Sequence, residues 1–180
     1  MVTIIFESHS TTLDNEQKIA SGHFDVALSA KGEQQAKDLG VRYRQEHFEA
    51  IFCSDLQRSY KTAELAFGDK FPVIQDARLR ECDYGTFEHS PNSLIETERS
   101  KRLDTPFPEG ESFRQTSARM KSFLQDVLQE YDGKKVLIIG HRATWYGVEE
   151  WAGHRPLTEL LSASWSYQPG WTYQLAGIDG

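Results

Sequence analysis

A chain of 180 residues with 38% hydrophobic and 26% charged content has the size and composition of one globular domain that can bury a core. Its 20 basic and 27 acidic side chains leave a formal charge of −7, which argues against a general nucleic-acid-binding surface. No apolar run approaches the ~20 residues of a membrane span, and MVTIIFES lacks the basic start and long apolar stretch of a secretion signal; the expectation is one cytoplasmic domain, residues 1–180, with no membrane partner.

VTIIF (2–6) is a β-branched apolar run and reads as a buried strand. LSAKGEQQAKDLGVRYRQEHF (28–48) has helical spacing at Ala36, Leu39, Gly40 and Tyr43, with Ser29 as its N-cap. EAIFCS (49–54) is a second strand, followed by the amphipathic helix DLQRSYKTAELAF (55–67), opened by an acidic residue. FPVIQD (71–76) is a third short strand, and residues 82–110, with glycine, proline and mixed charge, read as irregular around a short helix.

ESFRQTSARMKSFLQDVLQEYDG (111–133) is a long amphipathic helix that Gly133 would stop. KKVLIIGH (134–141) is the clearest strand, and ATWYGVEEWAGH (143–154) starts a helix. LSASWSYQPGWTYQLAGI (161–178) has two alternating segments joined at Pro169-Gly170 and reads as a hairpin or edge strands. Alternating strands and helices predict an α/β layered fold on a mostly parallel sheet. Cys53 and Cys82 have no metal-ligand spacing and read as buried free thiols.

In such sheets, functional groups collect where strands end and helices begin. His9, Ser54 and His141 all fall there, Arg58 lies one helical turn beyond Ser54, and Glu81 sits in RLRECDYG. Two imidazoles, a guanidinium and a carboxyl suit phosphoryl transfer. One imidazole attacks phosphorus, the other joins the arginine's planar fork in opposing charge on the equatorial oxygens, and the carboxyl protonates the leaving oxygen.

The chain resembles the histidine phosphatase superfamily, the phosphoglycerate mutase-like family, along nearly its whole length. SHSTTLDN aligns with Arg-His-Gly-Glu/Gln-Thr-x-x-Asn, matching at His9, Thr12 and Asn15. SGHFDVALSAKG, SDLQRSYKTA, LRECDYGTFEH, PFPEGESF and VLIIGHRAT follow in the family's order. The resemblance implies a three-layer αβα sandwich with a mostly parallel central sheet and a transient phosphohistidine on His9. It makes Arg58, His141 and Asn15 the phosphoryl contacts, Glu81 the proton donor, and Ser21 and Gly22 the lining of the substrate mouth. It implies no metal or organic cofactor and a small-molecule phosphate ester as partner.

Two departures bear on this. Ser8 and Ser10 stand where the family has arginine and glycine, and Arg142 follows the second histidine where the family has glycine. A lost charge-assisted contact is worth ~1.5–3 kcal/mol. Arg142 is expected either to return a guanidinium to the space left by Ser8 or to lie at the helix-start surface. Glu81 has the alternative of a surface ion pair with Arg78 or Arg80. His23, His47, His89 and His154 read as surface or loop residues, the four tryptophans as packing, and ERSKR (98–102) as a solvated lid segment. The expected activity is a phosphomonoesterase. A mutase is the first alternative, disfavoured because the 28 residues from Glu81 to Pro108 leave little room for the insertion mutases usually carry. A catalytically weakened phospho-ligand binder is the second.

Overall fold

The computed structural model describes residues 1–178. Strands β1 (Val2–Ser8), β2 (Ala50–Cys53), β3 (Val73–Gln75), β4 (Lys135–Gly140) and β5 (Trp171–Leu175) form one sheet in the order β3-β2-β4-β1-β5. All neighbours are parallel except β5, which runs antiparallel to β1. The architecture is thus α/β with a mostly parallel central sheet between helical layers, as the strand–helix alternation predicts.

On one face lie α1 (Ala30–Arg42) and α2 (Gln57–Phe67), and on the other α4 (Phe113–Glu130) and α5 (Arg142–Trp151), while α3 (Asn92–Glu98) and α6 (Leu157–Ser162) are short. Strand alternation divides β4 between two cores. Val136 and Ile138 pack with Phe6, Met120, Phe123 and Tyr146, whereas Leu137 and Ile139 pack with Leu39, Phe48 and Phe67. Burial on both faces explains why KKVLIIGH reads as a continuous apolar run.

Local chemistry sets the helix starts. Ser29 caps α1 by accepting the Gly32 N–H at 3.1 Å, and Ser112 with Gln115 forms a reciprocal capping box on α4. Gly32 also permits a close crossing, since a Cβ there would lie 1.9 Å from the Thr11 carbonyl oxygen. The first helix ends at Arg42, short of the expected residue 48, and α4 spans 113–130 within the expected 111–133. Asp55 does not open α2. Leu56 is its N-cap, and Asp55 instead takes both ends of the Arg80 fork at 2.6 Å. Both cysteines are buried free thiols.

The expected hairpin at Pro169-Gly170 is not formed. Leu161 and Ser162 finish α6, residues 163–170 are irregular, and only Trp171–Leu175 pairs with β1. Alternating aromatics mislead here because Trp165 and Tyr167 serve tertiary contacts: Trp165 stacks on Trp171 with ring centroids 6.3 Å apart, and the Tyr167 hydroxyl donates to Glu7 Oε2 at 3.2 Å.

Candidate active site

The sheet order makes β2, β4 and β1 neighbours, so Ser54, His141 and His9 emerge side by side at their carboxyl ends. His9 and His141 border a cavity of about 620 Å³ that also reaches Asn15, Ser21, Gly22, Arg58, Glu81 and Arg142. Each site residue expected from the sequence lines this one cavity.

Beyond β1 the His9 N–H donates to the Gly140 carbonyl at 2.9 Å, which fixes the backbone where the strand ends. His9 Nδ1 lies 2.7 Å from the Ser10 carbonyl oxygen. A carbonyl only accepts, so Nδ1 carries the hydrogen and Nε2 keeps a free lone pair. Burial, with the Arg58 charge second, pulls the His9 pKa down to about 3, so the imidazole is neutral at physiological pH. Thr62 Oγ1 accepts the Ser10 N–H at 3.0 Å and donates to the Arg58 carbonyl at 2.7 Å. The turn of α2 that presents Arg58 therefore also holds the loop after His9.

His141 is 1% exposed and its ring centroid lies 4.9 Å from that of His9. Its Nε2 is 2.7 Å from Ser54 Oγ, which itself accepts the Leu56 N–H at 3.4 Å. Ser54 Oγ and Nε2 share one hydrogen between them, and the tautomer of the neutral ring follows from which of the two carries it. Nδ1 is buried on a ring that lies beside that of His9. Burial and then Arg58 hold the His141 pKa well below its ordinary value.

A stability consequence follows. Above pH ~6.5 neither the folded nor the unfolded imidazole binds a proton; below it the unfolded chain takes a proton that the native site refuses. Stability contributed by neutral His141 is lost as pH falls, at up to about 1.4 kcal/mol per pH unit. Urea melts of wild type and His141→Asn at pH 7 and pH 5 should show the wild type losing about 2 kcal/mol more than the variant over that interval. Equal losses would show that His141 is protonated in the native state.

Arg58 is 2% exposed. Its Nη2 donates to the Gly22 carbonyl at 2.6 Å and Nη1 to the Phe24 carbonyl at 3.0 Å, leaving three of a guanidinium's five N–H donors for the cavity. Gly22 meets it from a left-handed backbone (φ +56°), where a Cβ would lie 2.8 Å from Glu88 Oε1. Ser21 Oγ donates to Asp14 Oδ2 at 2.8 Å. Asn15 spends Oδ1 on the Thr12 N–H at 3.2 Å, so its amide NH₂ stays available at the cavity edge.

Glu81 pairs with neither Arg78, which holds Asp76 and Asp126, nor Arg80, which holds Asp55. One oxygen, Oε1, accepts the Cys82 N–H at 2.7 Å and the Ala143 N–H at 3.1 Å in the first turn of α5. The other oxygen is left for the cavity. The backbone of Glu81 is clamped as well: Arg119 Nη2 donates to its carbonyl at 2.7 Å and His23 Nε2 at 2.8 Å. Arg119 also reaches the Arg80 carbonyl at 2.7 Å and Glu111 at 2.9 Å. His23 lies in a loop, as expected, but its tie to the Glu81 carbonyl, like that of Arg119, was not legible, because nothing local in either segment points to a backbone carbonyl far along the chain.

The remaining wall departs furthest from expectation. Arg142 lines the cavity, but its guanidinium is committed to Tyr146 Oη (2.7 Å) and Glu96 Oε1 (2.6 Å) and lies 5.4 Å from the Trp165 ring centre. It has no hydrogen bond to Ser8. Arg99, expected in a solvated ERSKR segment, is 5% exposed, lines the cavity and shares the same Glu96 oxygen. Trp165, expected to be packing, and Tyr167 also border the cavity.

This fold and site define a class: α/β proteins that gather two histidines, an arginine and a carboxyl at the carboxyl edge of a parallel sheet. The chain belongs to the histidine phosphatase superfamily (branch 1), whose family model matches residues 4–167. It is 32% identical, over 98% of its own length and 93% of the relative's, to a probable phosphoglycerate mutase (GpmB) of Citrobacter koseri. Its structure is similar to YhfR of Bacillus stearothermophilus, with a TM-score of 0.83, 28% identity and coverage of 93% and 87% of the two chains. It is also similar to the alpha-ribazole phosphatase of Shigella flexneri, with a TM-score of 0.75, 25% identity and coverage of 89% and 84%. Members of the superfamily are phosphatases or mutases. Among the described residues no helix is long and apolar enough to cross a membrane.

Proposed function

We propose that the protein is a phosphomonoesterase that hydrolyses a phosphorylated small molecule through a phosphohistidine on His9. The observation that carries this reading is a neutral His9, its Nε2 free, with the buried His141 ring centred 4.9 Å from its own. The Nε2 lone pair attacks phosphorus, forming a P–N bond as the ester P–O bond breaks. Arg58, His141 and the Asn15 amide oppose the charge on the three equatorial oxygens. Glu81 gives its proton to the leaving alcohol oxygen. Water then attacks phosphorus and loses a proton to Glu81. The P–N bond breaks, and inorganic phosphate leaves with His9 and the Glu81 carboxyl restored.

Incubation with p-nitrophenyl phosphate, alone and with 3-phosphoglycerate as acceptor, tests this reading. Release of inorganic phosphate with no label moving to the acceptor supports hydrolysis. The name of the Citrobacter relative favours a mutase, which would instead show transfer. Phosphate binding without release would mark a non-catalytic phospho-ligand binder.

The two duties of Glu81 separate by leaving group. Nitrophenolate departs without a proton, whereas an alkoxide needs one. Glu81→Gln should therefore lose about 10²–10⁴-fold on glycerol 3-phosphate. On p-nitrophenyl phosphate it should give a burst of nitrophenol followed by slow turnover, as water attack on the phosphoenzyme loses its base. Equal losses on both substrates, with no burst, would remove Glu81 from acid–base duty.

A further inference from the structure

The carboxyl of Glu81 is held by the N–H of the peptide that follows it. That peptide unit is planar and trans, so its C=O and N–H point in opposite directions. The N–H, on Cys82, donates to Glu81 Oε1 at 2.7 Å. The C=O, on Glu81, accepts His23 Nε2 at 2.8 Å and Arg119 Nη2 at 2.7 Å, which engages both of its lone pairs. Turning the peptide would break both of those bonds and carry the Cys82 N–H away from Oε1. Oε1 also accepts the Ala143 N–H at 3.1 Å. An oxygen that accepts two N–H donors leaves the acid proton to its partner, so the transferable proton sits on Oε2, the oxygen that faces the cavity.

The two donors are anchored away from the substrate. Arg119, on α4, also takes the Arg80 carbonyl at 2.7 Å, and Glu111 balances its charge through Oε1 at 2.9 Å and Oε2 at 3.0 Å. The backbone of His23 is fixed on both sides. Its own N–H donates to Glu88 Oε1 at 2.6 Å, and the carbonyls of its neighbours Gly22 and Phe24 take the two ends of Arg58. Among the described residues, neither His23 nor Arg119 borders the cavity.

We infer that His23, together with Arg119, is a positioning residue for proton transfer: the pair fixes the peptide between Glu81 and Cys82 so that Glu81 Oε2 presents its proton to the leaving oxygen. This rests on the phosphomonoesterase reading above. Residues 22–24 then have a double duty, because the tripeptide whose carbonyls seat Arg58 also supplies the ring that seats Glu81. Removing the His23 side chain leaves those two carbonyls in place. The phosphoryl site is spared while the acid is loosened.

The test measures kcat/KM on p-nitrophenyl phosphate, phenyl phosphate and glycerol 3-phosphate, whose leaving oxygens need a proton increasingly. His23 is 26% exposed in a loop, so His23→Ala opens no void in the core. It should lose about threefold or less on p-nitrophenyl phosphate and about ten- to a hundredfold on glycerol 3-phosphate, with phenyl phosphate between. Its inhibition constant for inorganic phosphate should stay within about twofold of wild type, because Arg58 keeps its partners. His23→Gln, whose side-chain amide can donate to the same carbonyl, should restore most of the wild-type profile. Arg119→Lys, with one ammonium in place of a fork, should steepen the same series. A fold that was merely weakened would lower all three substrates alike. Parallel losses in His23→Ala beside a steepened series in Glu81→Gln would overturn the inference and leave the phosphatase reading standing. If Glu81→Gln also gave parallel losses, or if wild type hydrolysed none of the three esters, the acid role itself would be wrong and the positioning role would fall with it.

Discussion

His9→Ala abolishes the release of nitrophenol from p-nitrophenyl phosphate, with a loss of about 10⁴-fold or more, as expected when the covalent nucleophile is removed. It also removes the acid-labile, alkali-stable label that ³²P-phosphate esters leave on the quenched wild-type protein. The size of the loss follows from the ring's setting. Ser10 holds Nδ1, and the low pKa of about 3 keeps Nε2 unprotonated. The fold should survive, because the backbone hydrogen bonds of His9 and Ser10 do not involve the imidazole. His141→Ala gives the contrasting result. It weakens turnover by removing one donor to the phosphoryl group, yet the phosphoenzyme still forms on single turnover. If His9→Ala kept more than a few per cent of wild-type activity, or if the label vanished from His141→Ala and persisted in His9→Ala, the nucleophile would be misassigned.

What the sequence discloses about this site depends on the range of the interactions. VTIIF and VLIIG announce buried parallel strands by composition alone, and the histidines that follow inherit their position from the sheet. Ser29 announces a helix start because capping is a bond within four residues. The cavity's far wall has no such local signature. Glu7 reads as the polar end of a strand, yet it is 1% exposed and neutralised by partners 35 and 160 residues away, Arg42 and Tyr167. Arg99 sits in a run of charges that would be solvated if α3 did not fold back across the cavity. Trp165 and Tyr167 alternate like a strand because their spacing answers to Trp171 and Glu7 rather than to a neighbouring ladder. Motif order brought His9, Arg58, Glu81 and His141 to one place, whereas substrate-facing residues outside the motifs needed the packing to be seen.

Arg58→Ala is expected to cost about 10³-fold in kcat/KM on p-nitrophenyl phosphate, at the upper end for one charged donor, because no second guanidinium shares its work. The family motif that SHSTTLDN resembles has an arginine there; here Ser8 lines the same cavity with a hydroxymethyl group. The variant should also unfold more easily. Gly22 and Phe24 lose the donor to their carbonyls, and each buried acceptor left unpaired costs about 1–3 kcal/mol unless water reaches it. Arg58→Lys separates the two duties. An ammonium keeps the charge but lacks the fork that spans both carbonyls and phosphate together, so it should retain more activity than alanine and recover little stability. Ser8→Arg then addresses the charge alone. Placed on Arg58→Lys, it should raise kcat/KM on the aryl phosphate about tenfold and leave the urea midpoint unchanged. Placed on wild type, it should lower the apparent dissociation constant for inorganic phosphate. If Arg58→Ala kept wild-type turnover while losing stability, Arg58 would be a brace for residues 22–24 and the phosphoryl charge would have to be met elsewhere. Activity restored by Ser8→Arg without restored stability would show that the guanidinium missing from β1 and the guanidinium present on α2 answer the same phosphoryl oxygens.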